Sequence, residues 1–167
     1  MELLSELPNK EIRGLAYRDK AGIQHNPERE LEKDLNSLPF PDIKENEINK
    51  NVKWAYIEAS RGCKYRCKFC IEPQKWGYDY RAKSPSRVIQ EIEYWQKKGI
   101  DHFRFTDSSL TSYPQLRELF TEITSRKLDI TLSGFARISE IIKNQELVKE
   151  MKSSGCETLL VGFESGE

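Results

Sequence analysis

The chain has 167 residues, of which 37% are apolar and 32% charged, with 27 Lys plus Arg against 27 Asp plus Glu. That is the size of roughly one polar domain. A formal net charge of zero argues against a nucleic-acid surface, no apolar run reaches the ~20 residues of a membrane span, and Met1 to Glu6 is no signal peptide. The reading is a cytoplasmic protein.

Residues 1–50 are poor in apolar side chains. Ile12 to Arg18 suits a strand, Asp19 to Gly22 a turn, and Ile23 to His25 a return strand, so a hairpin is expected. Leu38-Pro39-Phe40-Pro41 favours an extended segment, since each proline fixes φ and restricts the residue before it. The whole stretch reads as a hairpin plus a connecting strap.

From Val52 the pattern changes. Val52 to Ala59 predicts a strand, followed by a cysteine-rich loop. Ser84-Pro85 looks like an N-cap with proline at the first helical position, and Val88, Ile89, Ile92 and Trp95 repeat at helical spacing until Gly99. Ile100 to Thr106 predicts a second strand with Phe103 and Phe105 alternating. Ser112 is the expected cap of a helix carrying Leu116, Leu119, Phe120 and Ile123. Leu128 to Phe135 predicts a third strand and Ile138 to Ile142 a short helical turn. Asn144 is the expected cap of a helix with Leu147, Val148 and Met151, and Thr158 to Phe163 predicts a fourth strand.

Helices between consecutive strands imply a parallel α/β sheet with right-handed crossovers. Loops at the strand C-termini then share one face, where active sites gather. Four segments converge there: the cysteine loop, Asp107-Ser108-Ser109, Ala136-Arg137 and Glu164-Ser165-Gly166. Four such strands cannot close a barrel, so the chain is expected to be a fragment whose last strand is an exposed edge.

The loop Cys63-Lys64-Tyr65-Arg66-Cys67-Lys68-Phe69-Cys70 has the spacing C-x3-C-x2-C. In a reducing compartment, three clustered cysteines read as metal-binding or catalytic rather than disulfide-forming. Three thiolates on one loop would hold three corners of a 4Fe-4S cube, Cys63, Cys67 and Cys70, and leave the fourth iron open. The alternative is zinc, which wants a fourth ligand; His25 and His102 follow no finger spacing. Cys156 falls at the opposite end of the fourth strand and reads as a small buried structural residue.

With Phe69 before the last cysteine, Ala59 to Cys70 resembles the signature of the radical S-adenosylmethionine (radical SAM) superfamily. The resemblance implies a partial (β/α)6, TIM-like barrel. It also implies that the amino and carboxylate groups of SAM chelate the open iron. An electron from the reduced cluster then cleaves SAM to methionine and a hydrogen-abstracting 5′-deoxyadenosyl radical. A flavodoxin or ferredoxin-like reductant is the implied partner.

Arg104 to Thr111, with Phe105-Thr106-Asp107, resembles the cobalamin-binding-domain branch, where this segment replaces the Gly-Gly-Glu motif of other members. The resemblance assigns Asp107 and Ser108 to the SAM amino group and Arg137, in Gly134-Phe135-Ala136-Arg137, to its carboxylate. It assigns Glu164, in Gly162-Phe163-Glu164-Ser165-Gly166, to the ribose, and Phe69 to the adenine. The bland readings are a turn residue, a surface arginine, a loop carboxylate and a packing aromatic.

Ile12 to Arg18, Asn26-Pro27 and Leu35 to Pro41 are similar to the segment joining an upstream cobalamin-binding domain to the barrel in that branch. Residues 1–50 would then be hairpin and linker, and 51–167 the first part of the radical SAM domain. The Asp-x-His-x-x-Gly motif of some cobalamin-binding relatives does not occur. The implied function is radical-initiated alkylation or methylation, a rearrangement or a cyclisation, on an unidentified substrate. The rivals are a methylthiotransferase, against which the absence of cysteine from residues 1–62 counts, and a non-catalytic metal-binding module.

Overall fold

A computed structural model describes residues 12–41 and 54–164. Val52, Lys53, Ser165 and Gly166, named above in a strand and a strand-end motif, lie outside them. The chain divides into two compact units, Met1–Glu32 and Lys33–Glu167.

In the first unit, β1 (Ala16–Asp19) pairs antiparallel with β2 (Gly22–His25), Ala16 opposite His25 and Asp19 opposite Gly22. Asp19 Oδ1 accepts the N–H of Ala21 at 2.8 Å, a local turn bond that short acidic side chains favour. The expected hairpin is present.

The second unit is built on a parallel sheet in the order β3-β6-β7-β8: β3 (Trp54–Ile57), β6 (His102–Phe105), β7 (Thr131–Ala136) and β8 (Cys156–Val161). Helices α2 (Pro85–Gln96), α3 (Leu116–Ser125) and α5 (Gln145–Ser153) lie between successive strands in the chain, and α4 (Ile138–Lys143) precedes α5. The architecture is a partial (β/α) barrel of the kind the sequence implies.

Burial alternates along β3, β6 and β7. Ala55, Ile57, Phe103, Phe105 and Leu132 join Val88, Ile89, Ile92, Leu119, Phe120 and Ile123 of the helices in one core. Trp54, Tyr56, Phe135 and Leu160 are exposed. Core burial of side chains this size contributes ~1.5–3 kcal/mol each, so the sheet is held from its helical face.

Ser84 caps α2, its Oγ accepting the N–H of Arg87 at 3.3 Å, with Pro85 at the first helical position. Residues 33–41 pack on this same helix. Asn36 Oδ1 accepts the N–H of Ser84 at 2.7 Å, Phe40 stacks on Tyr94 with ring centroids 5.3 Å apart, and Arg87 lies over the Phe40 ring.

Several local expectations change, the third strand among them, which runs Thr131–Ala136 rather than from Leu128 to Phe135. Ser112 does not cap α3. It ends a 3-10 turn, Leu110–Ser112, and donates to Ser109 Oγ at 3.0 Å, while α3 starts at Leu116 without a side-chain cap. Pro114 explains this, because the residue before a proline avoids the helical region, and Tyr113 is extended. Asn144 occupies the N-cap position of α5 but makes no side-chain cap bond. β8 begins at Cys156, two residues before the expected Thr158. Among the described residues, no helix is long and apolar enough to cross a membrane.

Candidate cluster and SAM site

The cysteine loop is an excursion from the end of β3, closed at its neck by a small ribbon. β4 (Ser60–Arg61) pairs antiparallel with β5 (Arg81–Ala82), and Lys83 donates to the carbonyl of Ala59 at 2.8 Å. Between them lies a short helix, α1 (Glu72–Trp76). The loop's first turn needs a glycine. Gly62 has φ +88°, and a Cβ there would collide with the carbonyl oxygen of Asp79. Cations lie over the aromatic rings of this excursion, with Arg61 5.1 Å and Lys75 4.6 Å from the Trp76 ring and Arg66 4.5 Å from Tyr78.

Cys63, Cys67 and Cys70 are free and half-buried, and Cys70 donates its N–H to the carbonyl of Cys67 at 3.1 Å. All three line a cavity of about 680 Å³. Burial pushes the Cys63 thiol up, the charges of Cys70, Cys67 and Glu72 push it further, and Arg137 opposes them. A cation bound among these sulfurs would favour their thiolate forms. Among the described residues, no group of His, Cys, Asp and Glu is arranged to hold a single metal ion. The donor set is instead three soft sulfurs around an open space, which fits a cluster bound through three corners.

The same cavity brings in Phe69, Ser108, Arg137 and Glu164 of the sequence-derived set. Phe69 is 70% exposed. The hydroxyl of Ser108 bonds the carboxylate of Glu72. Arg137 follows β7, and its Nη1 lies 3.3 Å from Cys67 Sγ. Glu164 follows β8 with φ +60°, a left-handed conformation that non-glycine residues rarely adopt.

Asp107 is not in the cavity wall. It is 1% exposed and accepts the N–H of Ala59 at 3.0 Å together with the Ser60 hydroxyl. Burial pushes its carboxyl up to about 6, against the pull of the Ser60 and Ala59 bonds. It ties the end of β6 to the root of the cysteine loop. Cys156 is buried at the first residue of β8, and burial raises its thiol.

Sequence reasoning missed Glu72, Tyr65, Phe135 and Ser139, which also line the cavity. Glu72 stands two residues after Cys70, and Ser139 two after Arg137; proximity to the motif was the available signal.

Residues 57–167, more than half of the chain, match the model of the Radical SAM superfamily. The chain belongs to the radical SAM superfamily. An uncharacterized methyltransferase of Pyrococcus horikoshii is 28% identical over 162 residues, covering 93% of this chain and 35% of that protein. An anaerobic magnesium-protoporphyrin IX monomethyl ester cyclase of Synechocystis is 24% identical over 174 residues, covering 98% and 35%. The chain thus spans about a third of the length of these curated relatives. Among solved structures, the radical SAM methyltransferase TsrM of Kitasatospora setae, with cobalamin and a 4Fe-4S cluster bound, superimposes with a TM-score of 0.74. It is 21% identical, over 96% of this chain and 35% of that one. At that identity the likeness is one of fold.

Proposed function

We propose that this chain is the cluster- and SAM-binding part of a radical SAM enzyme of the cobalamin-binding-domain branch, with residues 1–50 as the linker from a cobalamin domain. The observation that carries this reading is one cavity of about 680 Å³ lined by Cys63, Cys67, Cys70, Ser108, Arg137 and Glu164, drawn from the ends of four parallel strands.

Cys63, Cys67 and Cys70 hold three irons of a 4Fe-4S cluster. When bound and reduced, the cluster supplies the electron that cleaves SAM. Arg137 offers a guanidinium to the SAM carboxylate, a pairing its planar fork suits. Ser108 and its partner Glu72 face the cavity with an acceptor for the amino group. Asp107 supports that end from behind, by fixing Ala59 and Ser60. Glu164 accepts from the ribose hydroxyls, and Phe69 packs on the adenine. A flavodoxin or ferredoxin-like protein delivers the electron. The reaction class is radical alkylation or methylation, rearrangement or cyclisation, on a substrate still to be identified.

Electron paramagnetic resonance on the anaerobically reconstituted, reduced protein tests the reading. SAM is expected to change the signal of the reduced cluster. A signal indifferent to SAM would overturn it.

A further inference from the structure

One arginine joins the cysteine loop to the end of β7. Arg137 Nη1 is 3.3 Å from Cys67 Sγ, and its Nε donates to Ser139 Oγ at 3.0 Å. Its guanidinium carbon lies 4.1 Å from the centroid of the Tyr65 ring. The Tyr65 hydroxyl in turn bonds Glu140, whose Oε1 also pairs with Lys64 Nζ at 3.2 Å. The Arg137 backbone is fixed as well, its N–H donating to Thr111 Oγ1 at 3.2 Å. The guanidinium is therefore held by a ring on one side, a hydroxyl on another and its own anchored backbone, and it presents a donor to one particular sulfur.

That placement has an electrostatic consequence. A cluster that gains an electron becomes more negative, and its ligand sulfurs become better hydrogen-bond acceptors. A fixed cation and an N–H donor at one sulfur then stabilise the reduced form more than the oxidised form. Hydrogen bonds to ligand sulfurs are one of the established controls on iron–sulfur potentials. Arginine carries five N–H donors, so the contacts to Cys67 and Ser139 leave capacity for an anionic group in the cavity that Arg137 lines.

We infer that Arg137 holds the Cys67 sulfur and raises the reduction potential of the cluster bound there. Tyr65 and Glu140 are its supports. This rests on the cluster assignment above and adds to it: the residue that receives the SAM carboxylate also sets how readily the electron arrives. Binding of a carboxylate at Arg137 offsets part of its charge, so ligand occupancy and cluster potential are coupled through one side chain.

A redox titration of the reconstituted protein, followed by the paramagnetic signal of the reduced cluster, tests this. The variants are Arg137→Gln, Arg137→Lys and, as a control, Arg126→Gln. Arg126 is a distant cation on α3's C-terminal end that pairs with Glu93 and Glu122. Arg137→Gln should weaken reduction about tenfold, a midpoint lower by about 59 mV for a one-electron couple. Arg137→Lys keeps the charge but loses the fork, and should fall between. Arg126→Gln should not move. If the glutamine variant fails to take up iron, the lysine variant carries the comparison. Loaded Arg137 variants with the midpoint of the unmodified protein would overturn the inference and leave the cluster assignment standing. An unmodified protein that takes up no four-iron cluster would overturn both.

Discussion

Asp107 Oδ2 accepts the backbone N–H of Ala59 at 3.0 Å, joining the end of the second parallel strand to the exit of the first. Because burial raises this carboxyl to about 6, the folded chain holds its proton more tightly than the unfolded chain does. The sign follows from linkage: the contribution is fully present below the ordinary aspartate value and is lost as pH rises through about 6. Urea unfolding between pH 4 and 7 should show this group's stabilisation falling with pH. Asp107→Asn keeps an acceptor for Ala59 and should flatten that component. Asp107→Ala leaves two buried donors unmet, each costing ~1–3 kcal/mol, so it should cost roughly 2–6 kcal/mol. A pH profile identical in the asparagine variant and the unmodified protein would contradict the assignment.

The neck of the cysteine loop depends on Gly62. A methyl there meets the Asp79 carbonyl, and φ +88° disfavours any side chain. Gly62→Ala should open the β4–β5 ribbon and reduce iron uptake on reconstitution by several-fold. The parallel sheet should keep its far-ultraviolet circular dichroism. Full iron loading would show that the loop tolerates the methyl.

Lys83 and Glu91 form a buried pair at 2.7 Å, the amine leading into α2 and the carboxylate on it. Removing one partner strands a charge, so Glu91→Leu should cost ~3–5 kcal/mol in denaturant unfolding. The double variant Lys83→Met with Glu91→Leu should recover most of that loss. Equal destabilisation of the single and double variants would show that the charges are not coupled.

Much of this fold is written locally. Ser84-Pro85 marks a helix start through its own chemistry, and Phe103 and Phe105 mark a strand through alternation, and both are found as expected. Cys63, Cys67 and Cys70 are legible because three ligands on one loop need no distant partner. The segment between Cys70 and Ser84 was not legible. Its strand β5, like the partner β4 that precedes the cysteines, is two residues long, too short for a period, and its helix α1 has five residues, none buried. Asp107 stands in a motif that suggests a cavity residue, yet its partners lie 48 and 47 residues upstream. Only the folded register of β3 against β6 shows that the carboxylate is spent on Ala59 and Ser60. The Arg137–Cys67 contact spans 70 residues and was hidden for the same reason.

The cysteines divide by position. Cys67 lines the cavity, whereas Cys156 begins β8 in the core. Cys67→Ala should abolish cluster binding and SAM cleavage, while Cys156→Ser, assayed at equal iron content, should retain most of both. Equal loss in the two would break the assignment of Cys156 as structural.

On the proposed reading, three loop thiolates hold a cluster with one iron left for SAM. Metal and sulfide analysis after anaerobic reconstitution tests it most directly. About four irons and four sulfides per chain are expected, lost in Cys67→Ala. One zinc per chain with no acid-labile sulfide would contradict it.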